Sequence, residues 1–230
     1  MEKVEDVNRQ FWGDLYQSKR EQKQVCTIYD KYGSKYDELI SIDKSQYNMN
    51  QEVAQMLLSV LERNSNAKII DIACGTGLTG AALVGKGFKN IDGIEGSQGM
   101  LEVALKKNIF NQIFQLKLGD ENYLQKIQAG NYDGAVSVGA ICANSIKIDD
   151  FLREVTRIVR RGGCVVYTVY DTNRDQSNPV DGDIPFRFMD VHTRYMREKK
   201  IDLLFARQMP YYDMFGTNTL LAYVFVIRIK

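Results

Sequence analysis

The sequence predicts a doubly wound α/β fold with a seven-stranded sheet, mostly parallel, whose last strand runs antiparallel. From 68 to 170, apolar segments of strand length alternate with amphipathic segments of helix length, a pattern typical of a parallel sheet covered by helices on both faces. Five strands are predicted there. Two more strands, at 201–212 and 219–229, are joined by a tight loop, and strands joined in this way pair antiparallel.

The N-terminal part of the chain predicts helices. Apolar residues recur every three or four positions at 3–24, 25–40 and about 48–63, which indicates amphipathic helices packed on something else. No proline- or serine-rich linker follows them. We therefore expect one domain of 230 residues, in which residues 1–45 form a helical lid and residues 46–230 form the sheet core.

The remaining elements follow in order along the chain. Strands are predicted at 68–73, 90–95, 113–118, 133–138 and 163–170. Helices are predicted at 77–86, 97–108, 121–128 and 147–160, and another at 186–199 precedes the final hairpin. Gly87, Gly130 and the pair Gly162-Gly163 stand where a helix or loop must end and turn.

Composition narrows the class of partner. Lysine plus arginine (30) nearly equals aspartate plus glutamate (29), whereas proteins that grip nucleic acid usually carry a basic surplus. No apolar run approaches the roughly 18 residues that a membrane-spanning helix needs. We therefore expect a small-molecule substrate, no nucleic acid or membrane partner, and a monomer in preference to an oligomer.

The cysteines and the histidine argue against a metal or disulfide framework. Cys26, Cys74, Cys142 and Cys164 are widely scattered, and the chain contains a single histidine, His192. The N-terminus carries no apolar signal core. These features predict no metal site and a reducing, cytoplasmic location. His192 lies in a polar helical segment, and we expect it at the surface.

Segment 69–80, IIDIACGTGLTG, carries the most chemical information. An apolar strand leads into a bend in which Gly75, Gly77 and Gly80 satisfy the fingerprint G-x-G-x-x-G. The glycines allow close backbone approach, and the free N–H groups of the following helix suit an anion. That anion can be a pyrophosphate or a carboxylate, so the fingerprint alone also fits an NAD-dependent oxidoreductase.

Acidic residues at three strand ends distinguish between these ligands. Asp71 precedes the bend and suits a cationic amine better than a pyrophosphate. Glu95 ends the next predicted strand, where a carboxylate can accept both hydroxyls of a ribose. Asp120 and Glu121 follow the third strand, near the place of an adenine amino group. An amine, a carboxylate, a ribose and an adenine, with no phosphate, describe S-adenosylmethionine.

Four segments resemble motifs of the class I S-adenosylmethionine-dependent methyltransferases, in order over roughly residues 25–230. They are DIACGTG at 71–77, GIEGSQGMLEVA at 93–104, NYDGAVSVGAI at 131–141 and RIVRRGGCVVYTVY at 157–170. The chain departs from the pattern at Ala73, where many relatives carry the first glycine, and at Arg160-Arg161, which replace lysine-proline. Within this superfamily, ACGTGLTG, IDGIEGSQGML and YDGAVSVGA are similar to the methyltransferase-like proteins of the Williams–Beuren region.

The resemblance implies a Rossmann-like fold, S-adenosyl-L-methionine as cofactor, S-adenosyl-L-homocysteine as product, and in-line methyl transfer. It implies cofactor contacts from Tyr36, Asp71, Ala73, Gly75, Thr76, Gly77, Glu95, Gly96, Met100, Gly119, Asp120, Glu121, Val138 and Gly139. Among them, Glu95 holds the ribose, Met100 lies against the adenine, and Val138 with Gly139 forms the floor below the sulfonium. A helical Tyr-Asp…Tyr-Asp pattern at 29–30 and 36–37 resembles the leading helix of small-molecule members, in which a ring closes over the cofactor.

The sequence does not assign a catalytic side chain, and it leaves two alternative functions open. Methyl transfer depends mainly on positioning, so no catalytic side chain is assigned. The fourth strand continues into Gly139-Ala140-Ile141 and lacks the Asp/Asn-Pro-Pro-Tyr/Phe motif of many enzymes that methylate planar nitrogens, which favours a small-molecule acceptor. The alternatives are an NAD-dependent oxidoreductase that uses the same glycines, and a non-catalytic protein that binds S-adenosylmethionine and acts as a partner.

Overall fold

The computed structural model describes residues 4–17, 22–41, 49–118, 126–141, 146–171, 184–214 and 218–230. Within these residues the helices are α1 Val4–Gln17, α2 Gln22–Tyr32, α3 Tyr36–Ser41, α4 Met49–Val60, α5 Leu78–Gly85, α6 Gln98–Lys106, α7 Ile148–Ile158 and α8 Ile184–Arg197, with a 3₁₀ turn at Gly33–Lys35. The strands are β1 Lys68–Ile72, β2 Asn90–Glu95, β3 Gln112–Gln115, β4 Tyr132–Ile141, β5 Val159–Asp171, β6 Ile201–Met214 and β7 Asn218–Ile229.

The seven strands form one sheet in the order β3-β2-β1-β4-β5-β7-β6. The first five strands pair parallel, and β7 pairs antiparallel with both β5 and β6. The predicted fold class, a seven-stranded sheet with an antiparallel last strand, is confirmed. The order places β1 between β2 and β4, so the chain leaves the middle of the sheet in opposite directions, and the carboxyl ends of these strands border a crevice.

The fifth strand begins earlier than predicted. The segment Arg160–Gly163 reads as a turn in the sequence, but β5 begins at Val159 and runs through it. The register with β4 shifts between Tyr132 and Gly134, and Gly162 has φ +79°. A glycine that adopts a left-handed conformation absorbs the extra residues as a bulge, so the turn-forming residues remain inside a strand.

Two apolar layers cover the sheet, and β1 shows how the sequence divides them. Ile70 and Ile72 belong to the cluster under α7 and α8, whereas Ile69 belongs to the cluster under α4 and α5. Side chains alternate between the faces of a strand. Asp71 therefore lies on the same face as Ile69, beneath α4 and α5.

The N-terminal helices form a third, smaller cluster. Its buried members are Val7, Phe11, Tyr32 and Leu39. The ring of Phe11 packs edge-on against Tyr32 and Tyr36, at centroid distances of 5.2 and 5.9 Å. The predicted amphipathic helices are therefore present, and part of their apolar surface packs on one another.

His192 is buried, so the expectation of a surface histidine is wrong. Its side chain is 0% exposed, because Phe188, His192 and Tyr195 follow one another at helical spacing on the inward face of α8. Both ring nitrogens have partners: Nδ1 contacts the carbonyl oxygen of Phe188 at 2.6 Å, and Nε2 contacts the hydroxyl of Tyr167. These contacts replace water, which the polar sequence around His192 does not reveal.

Among the described residues, no helix is long and apolar enough to cross a membrane. The same residues contain no cluster of histidine, cysteine and acidic side chains suited to a metal ion.

Candidate functional site

The candidate site lies at the carboxyl ends of β1 and β2, around the loop that joins β1 to α5. Three residues of this loop adopt left-handed backbone conformations: Ala73 (φ +55°), Gly75 (φ +56°) and Gly77 (φ +89°). The N–H of Cys74 donates to the carbonyl of Ile94, and the N–H of Gly77 donates to the carbonyl of Cys74, at 2.9 and 2.8 Å. The loop is therefore tied to β2 and turns sharply into the helix.

The glycines of the fingerprint have different roles. A Cβ at Gly75 would meet no atom of the described residues within 4 Å, so this glycine faces open space. A Cβ at Gly80 would lie 2.6 Å from the ring of Phe110, and one at Gly77 would lie 3.1 Å from the same ring. Gly75 therefore leaves room beside the loop, whereas Gly80 is required by packing between α5 and the segment before β3.

Glu95 organises the loop from the end of β2. Its side chain is buried, and its Oε2 accepts from the N–H of Gly75 at 2.8 Å while its Oε1 accepts from the N–H of Ser97 at 2.7 Å. Burial raises the pKa of Glu95, and these N–H donors partly offset that effect. Each carboxylate oxygen can accept a second hydrogen bond, so the group retains capacity for ligand hydroxyls.

The carboxylate of Asp71 is buried in the site without a hydrogen-bond partner among the described residues. It is 1% exposed, and neither carboxylate oxygen has a hydrogen-bond partner within the described ranges. Burial raises its pKa well above the usual range, the nearby Glu95 carboxylate raises it further, and the backbone N–H of Gly80, which falls short of hydrogen-bond geometry, partly offsets both effects. Two adjacent buried carboxylates create a negative potential that favours a cation and disfavours a phosphate.

Ser97 caps α6, as its position predicts. Its hydroxyl accepts from the N–H of Met100 at 3.2 Å and donates to Asp30 at 2.6 Å. The same oxygen of Asp30 accepts from the N–H of Gly99 at 3.1 Å. Met100 is buried in the first turn of α6, so it lies beside Ser97 and close to the strand end that carries Glu95.

A second acid of the N-terminal helices reaches the glycine-rich loop. One oxygen of Asp37 accepts from the hydroxyl of Thr76 at 2.5 Å, and the other pairs with Lys107 at 2.6 Å. Sequence reasoning missed the roles of Asp30 and Asp37. The Tyr-Asp…Tyr-Asp pattern contains both residues, but the pattern predicts a contact only for its tyrosine rings.

The rings of that pattern pack together. Tyr36 lies 5.8 Å from Tyr29 and 5.9 Å from Phe11, measured between ring centroids, and it is partly buried. Tyr36 directly precedes Asp37, the residue that binds the glycine-rich loop. Its predicted contact with a cofactor stays a prediction.

The end of β4 forms another border of the crevice. The strand loses register with β5 between Ser137 and Ile141, and Gly139 has φ +76° within this bulge. The N–H of Gly139 donates to the hydroxyl of Thr168 at 2.9 Å. Val138 and Gly139 are partly exposed, as residues that border a crevice must be.

Some predicted contacts fall elsewhere. Gly119, Asp120 and Glu121 lie outside the described residues. Gly96 is described: a Cβ there would lie 2.8 Å from Cγ of Lys117 and 3.6 Å from Sγ of Cys26. Side chains from α2 and from the segment that follows β3 therefore converge on Gly96 at the end of β2.

Comparison with known proteins identifies the class. Residues 69–163 match a family model described as a methyltransferase domain. Methyltransferase-like protein 27 of Homo sapiens is 28% identical over 156 residues, which are 67% of this chain and 60% of that protein. A probable 18S rRNA (guanine-N(7))-methyltransferase of Dictyostelium discoideum is 28% identical over 65% of this chain and 54% of its own length. Demethylmenaquinone methyltransferase of Bacillus mycoides is 26% identical over 66% and 63%.

Solved structures share the fold. The [4+2]-cyclase SpnF superposes with a TM-score of 0.65 at 13% identity, over 91% of this chain and 97% of that chain. A Methanococcus maripaludis protein described as an S-adenosyl-L-methionine-dependent methyltransferase gives a TM-score of 0.62 at 18% identity, over 88% and 94%. Geranyl diphosphate methyltransferase in complex with SAM gives 0.55 at 12% identity, over 78% and 85%.

The matched methyltransferase domain, the Rossmann-like sheet and these relatives together place residues 69–163 beside the class I S-adenosylmethionine-dependent methyltransferases, to which the chain is similar. Within that class, the chain is similar to methyltransferase-like protein 27, and the resemblance to that family is confirmed. The chain spans little more than half the length of several of these curated relatives, with shares from 54 to 63%.

The expectation of no nucleic-acid partner is wrong. An Arabidopsis thaliana relative, 27% identical, is named an 18S rRNA (guanine-N(7))-methyltransferase, and the Dictyostelium discoideum relative, 28% identical, is named a probable one. The total charge of +1 sums over the whole surface, whereas binding depends on the local potential at the site. A neutral total therefore does not exclude a nucleic-acid substrate.

Proposed function

We propose that this chain transfers a methyl group from S-adenosylmethionine to a small-molecule acceptor by in-line displacement. The observation that carries the proposal is the buried carboxylate of Asp71, which has no hydrogen-bond partner among the described residues and lies beside the loop-bound carboxylate of Glu95. An unpaired buried carboxylate is costly, and a cationic ligand removes that cost. The amino group of the methionine portion is such a cation.

Each predicted contact has a role in this proposal. Asp71 attracts the methionine amino group, directly or through water, and Glu95 accepts from the ribose hydroxyls. Gly75, with Ala73, Thr76 and Gly77 beside it, allows the backbone to approach the methionine portion and the nucleoside. Met100 and Gly96 border the adenine, Val138 and Gly139 lie below the sulfonium, and the ring of Tyr36 closes over the cofactor. The remaining proposed contacts, on the adenine side, are Gly119, Asp120 and Glu121.

The chemistry requires positioning more than side-chain catalysis. The positive sulfur already activates the methyl carbon, so the C–S bond breaks as the acceptor attacks from the opposite side. Holding the nucleophile about 3 Å from that carbon, in line, supplies much of the acceleration. The proposed contacts at Asp71 and Glu95 reach an amine and a ribose that S-adenosylhomocysteine retains, so the product should bind as well.

Two observations support a small acceptor. Asp37 and Asp30 of the N-terminal helices bond to Thr76 and Ser97 of the site, and a lid held by these bonds would enclose a small molecule. The fourth strand lacks the Asp/Asn-Pro-Pro-Tyr/Phe motif of many enzymes that methylate planar nitrogens. One relative acts on demethylmenaquinone, and others act on rRNA, so the acceptor must be tested against both classes.

Two measurements test the proposal. Calorimetric titration with S-adenosylhomocysteine should show binding, and NADH should show none; the reverse result would support an oxidoreductase. Methyl-labelled S-adenosylmethionine is then incubated with the protein and either a metabolite extract or total RNA. Label in the metabolite fraction supports the proposal, and label in RNA alone contradicts its small-molecule part.

A protein that binds S-adenosylmethionine without transferring its methyl group is the second candidate, and the fold comparison supports keeping it. SpnF, a [4+2]-cyclase by its description, shares this fold over 91% of the chain. The fold alone therefore does not specify methyl transfer. Binding of S-adenosylhomocysteine without label transfer to either fraction would favour the second candidate.

A further inference from the structure

The segment 30–37 runs along α6 from one end of that helix to the other. At the first end, Asp30 accepts from the hydroxyl of Ser97 and from the N–H of Gly99. At the second end, Asp37 pairs with Lys107, the residue that follows the helix. Two acids seven residues apart thus hold the N-terminal helices against the helix that begins at the candidate site.

Backbone contact between two glycines brings this segment close to α6. A Cβ at Gly33 would lie 2.5 Å from the carbonyl carbon of Gly99, and a Cβ at Gly99 would lie 2.5 Å from the carbonyl oxygen of Asp30. Any side chain at either position would collide with main chain. The close approach is what allows the short side chain of Asp30 to reach the first turn of α6.

Asp37 also joins the segment to the glycine-rich loop. Its bond goes to Thr76, which is buried between Gly75 and Gly77. The two acids therefore contact both elements that border the proposed cofactor, the loop through Thr76 and the start of α6 through Ser97. Displacing the segment would expose both elements together.

The N-terminal helices also share an apolar cluster of their own. Val7, Phe11, Tyr32 and Leu39 form a cluster of their own, and the amide of Asn8 donates to the carbonyl of Leu39 within the same unit. Trp12 packs against both this cluster and the core under α4 and α5. A unit with its own core and polar attachments can detach without exposing much of the main core.

We propose that Asp30 and Asp37 are positioning residues that fasten the N-terminal helices over the cofactor site, and that the cofactor enters and leaves when these two attachments break. The proposal rests on the proposed function for the identity of the ligand. The attachments are suited to opening, because Asp37 and Lys107 are 37% and 25% exposed and water can replace their bond. Neither acid needs to touch the reacting atoms.

The test compares Asp30→Ala and Asp37→Ala with a matched control, Asp14→Ala. Asp14 bonds to Lys31 and Tyr32, which belong to the N-terminal helices themselves, so its loss leaves both attachments intact. Dissociation of S-adenosylhomocysteine is followed by the fluorescence of Trp12, the single tryptophan. We expect dissociation about tenfold faster in each attachment variant and nearly unchanged in the control.

Hydrogen exchange of residues 22–41 in the cofactor-free protein provides the second measurement. It should rise in Asp30→Ala and Asp37→Ala but much less in Asp14→Ala. Asp37→Asn, which keeps an acceptor for Thr76 but loses the charge toward Lys107, should fall between the wild type and Asp37→Ala. If an alanine variant fails to fold, Lys107→Met removes one attachment bond from the opposite side and should also raise exchange.

Wild-type dissociation rates together with wild-type exchange in the attachment variants would overturn the proposal. Faster dissociation with unchanged exchange would also overturn it, because the acids would then act on the ligand and not on the helices. If the wild type binds no S-adenosylhomocysteine, the proposed function fails. The exchange measurement, made without cofactor, then still decides whether Asp30 and Asp37 fasten the helices.

Discussion

Two regions of this molecule each bury a titratable side chain, but among the described residues only one of them supplies it with hydrogen-bond partners. Under α8, the ring of His192 stacks 4.4 Å from Phe225, and both of its nitrogens are bonded. At the end of β1, Asp71 is equally buried, and neither of its oxygens has a partner in the part of the chain that the structure describes. Burial is common to both regions, and hydrogen bonding distinguishes them.

The difference teaches which buried group belongs to a ligand site. A satisfied group such as His192 stabilises the fold and needs nothing further, whereas an unsatisfied one costs free energy until a ligand arrives. Asp92 extends the comparison within β2. It is as buried as Asp71, but it accepts from Tyr132 at 2.8 Å and from Gln112 at 3.1 Å.

Removing the Glu95 carboxylate, which orders the glycine-rich loop, should change the measured free energy more than any other substitution considered. Glu95→Ala leaves the N–H groups of Gly75 and Ser97 without their acceptor and removes the proposed ribose contact. We expect affinity for S-adenosylhomocysteine to fall by about 2–3 kcal/mol, measured by calorimetry. Circular dichroism checks the fold, and unchanged affinity in a folded variant would show that the ribose is held elsewhere.

Asp71→Asn should stabilise the protein while weakening cofactor binding. Because the pKa of Asp71 is higher in the folded than in the unfolded state, the wild type loses stability as pH rises above the unfolded value of about 4. At pH 7–8 we expect the variant to gain about 1–3 kcal/mol in urea unfolding. Asp92→Asn is the matched control and should destabilise, since Asp92 is bonded. Loss of stability in both variants would contradict the comparison.

His192, whose ring nitrogens are both bonded, should respond in the opposite direction to Asp71: losing its partner should destabilise the fold. Tyr167→Phe leaves Nε2 of His192 without its partner, and we expect it to cost about 1–2 kcal/mol of unfolding free energy without altering cofactor affinity. Burial lowers the pKa of His192, so the wild type should lose stability as pH falls below the unfolded value of about 6.5. Urea titrations from pH 8 to 5.5 measure both effects. A flat profile across that range would contradict the assignment of a buried neutral ring.

The smallest effect is expected in the loop that separates the two carboxylates. Ala73 has φ +55°, a conformation that glycine adopts without strain. Ala73→Gly should therefore raise the free energy of unfolding, by about 0.5 kcal/mol after the entropy of the unfolded glycine is counted. Thermal unfolding gives the measurement. A loss of stability would mean that packing of the alanine methyl outweighs the backbone strain.

The sequence predicted most of what is local. The alternation of strands and helices, the loop at 73–77, the position of Glu95 and the Ser97 cap all follow from patterns spanning fewer than about 20 residues. The attachments through Asp30 and Asp37 were missed because their partners Ser97 and Thr76 are 67 and 39 residues away. Such pairs depend on tertiary packing, which local patterns do not encode.

The same limit explains the other misses. His192 is buried because a tyrosine on another element satisfies it, and nothing in its neighbouring residues indicates that tyrosine. The run from Arg160 to Gly163 has the composition of a turn, but the residues on either side of it, Val159 and Cys164, both pair with β4 and keep the run within a strand. Tertiary context prevailed over local propensity in both places.

The contact between Gly80 and Phe110 should constrain which residues homologous proteins carry at these two positions. Because a Cβ at Gly80 would lie 2.6 Å from that ring, a larger residue at position 80 requires a smaller one at position 110. In homologous sequences, the residues at positions 80 and 110 should therefore covary in size, whichever cofactor the proteins use. A fingerprint glycine would then record the size of a neighbouring side chain and carry no information about a nucleotide.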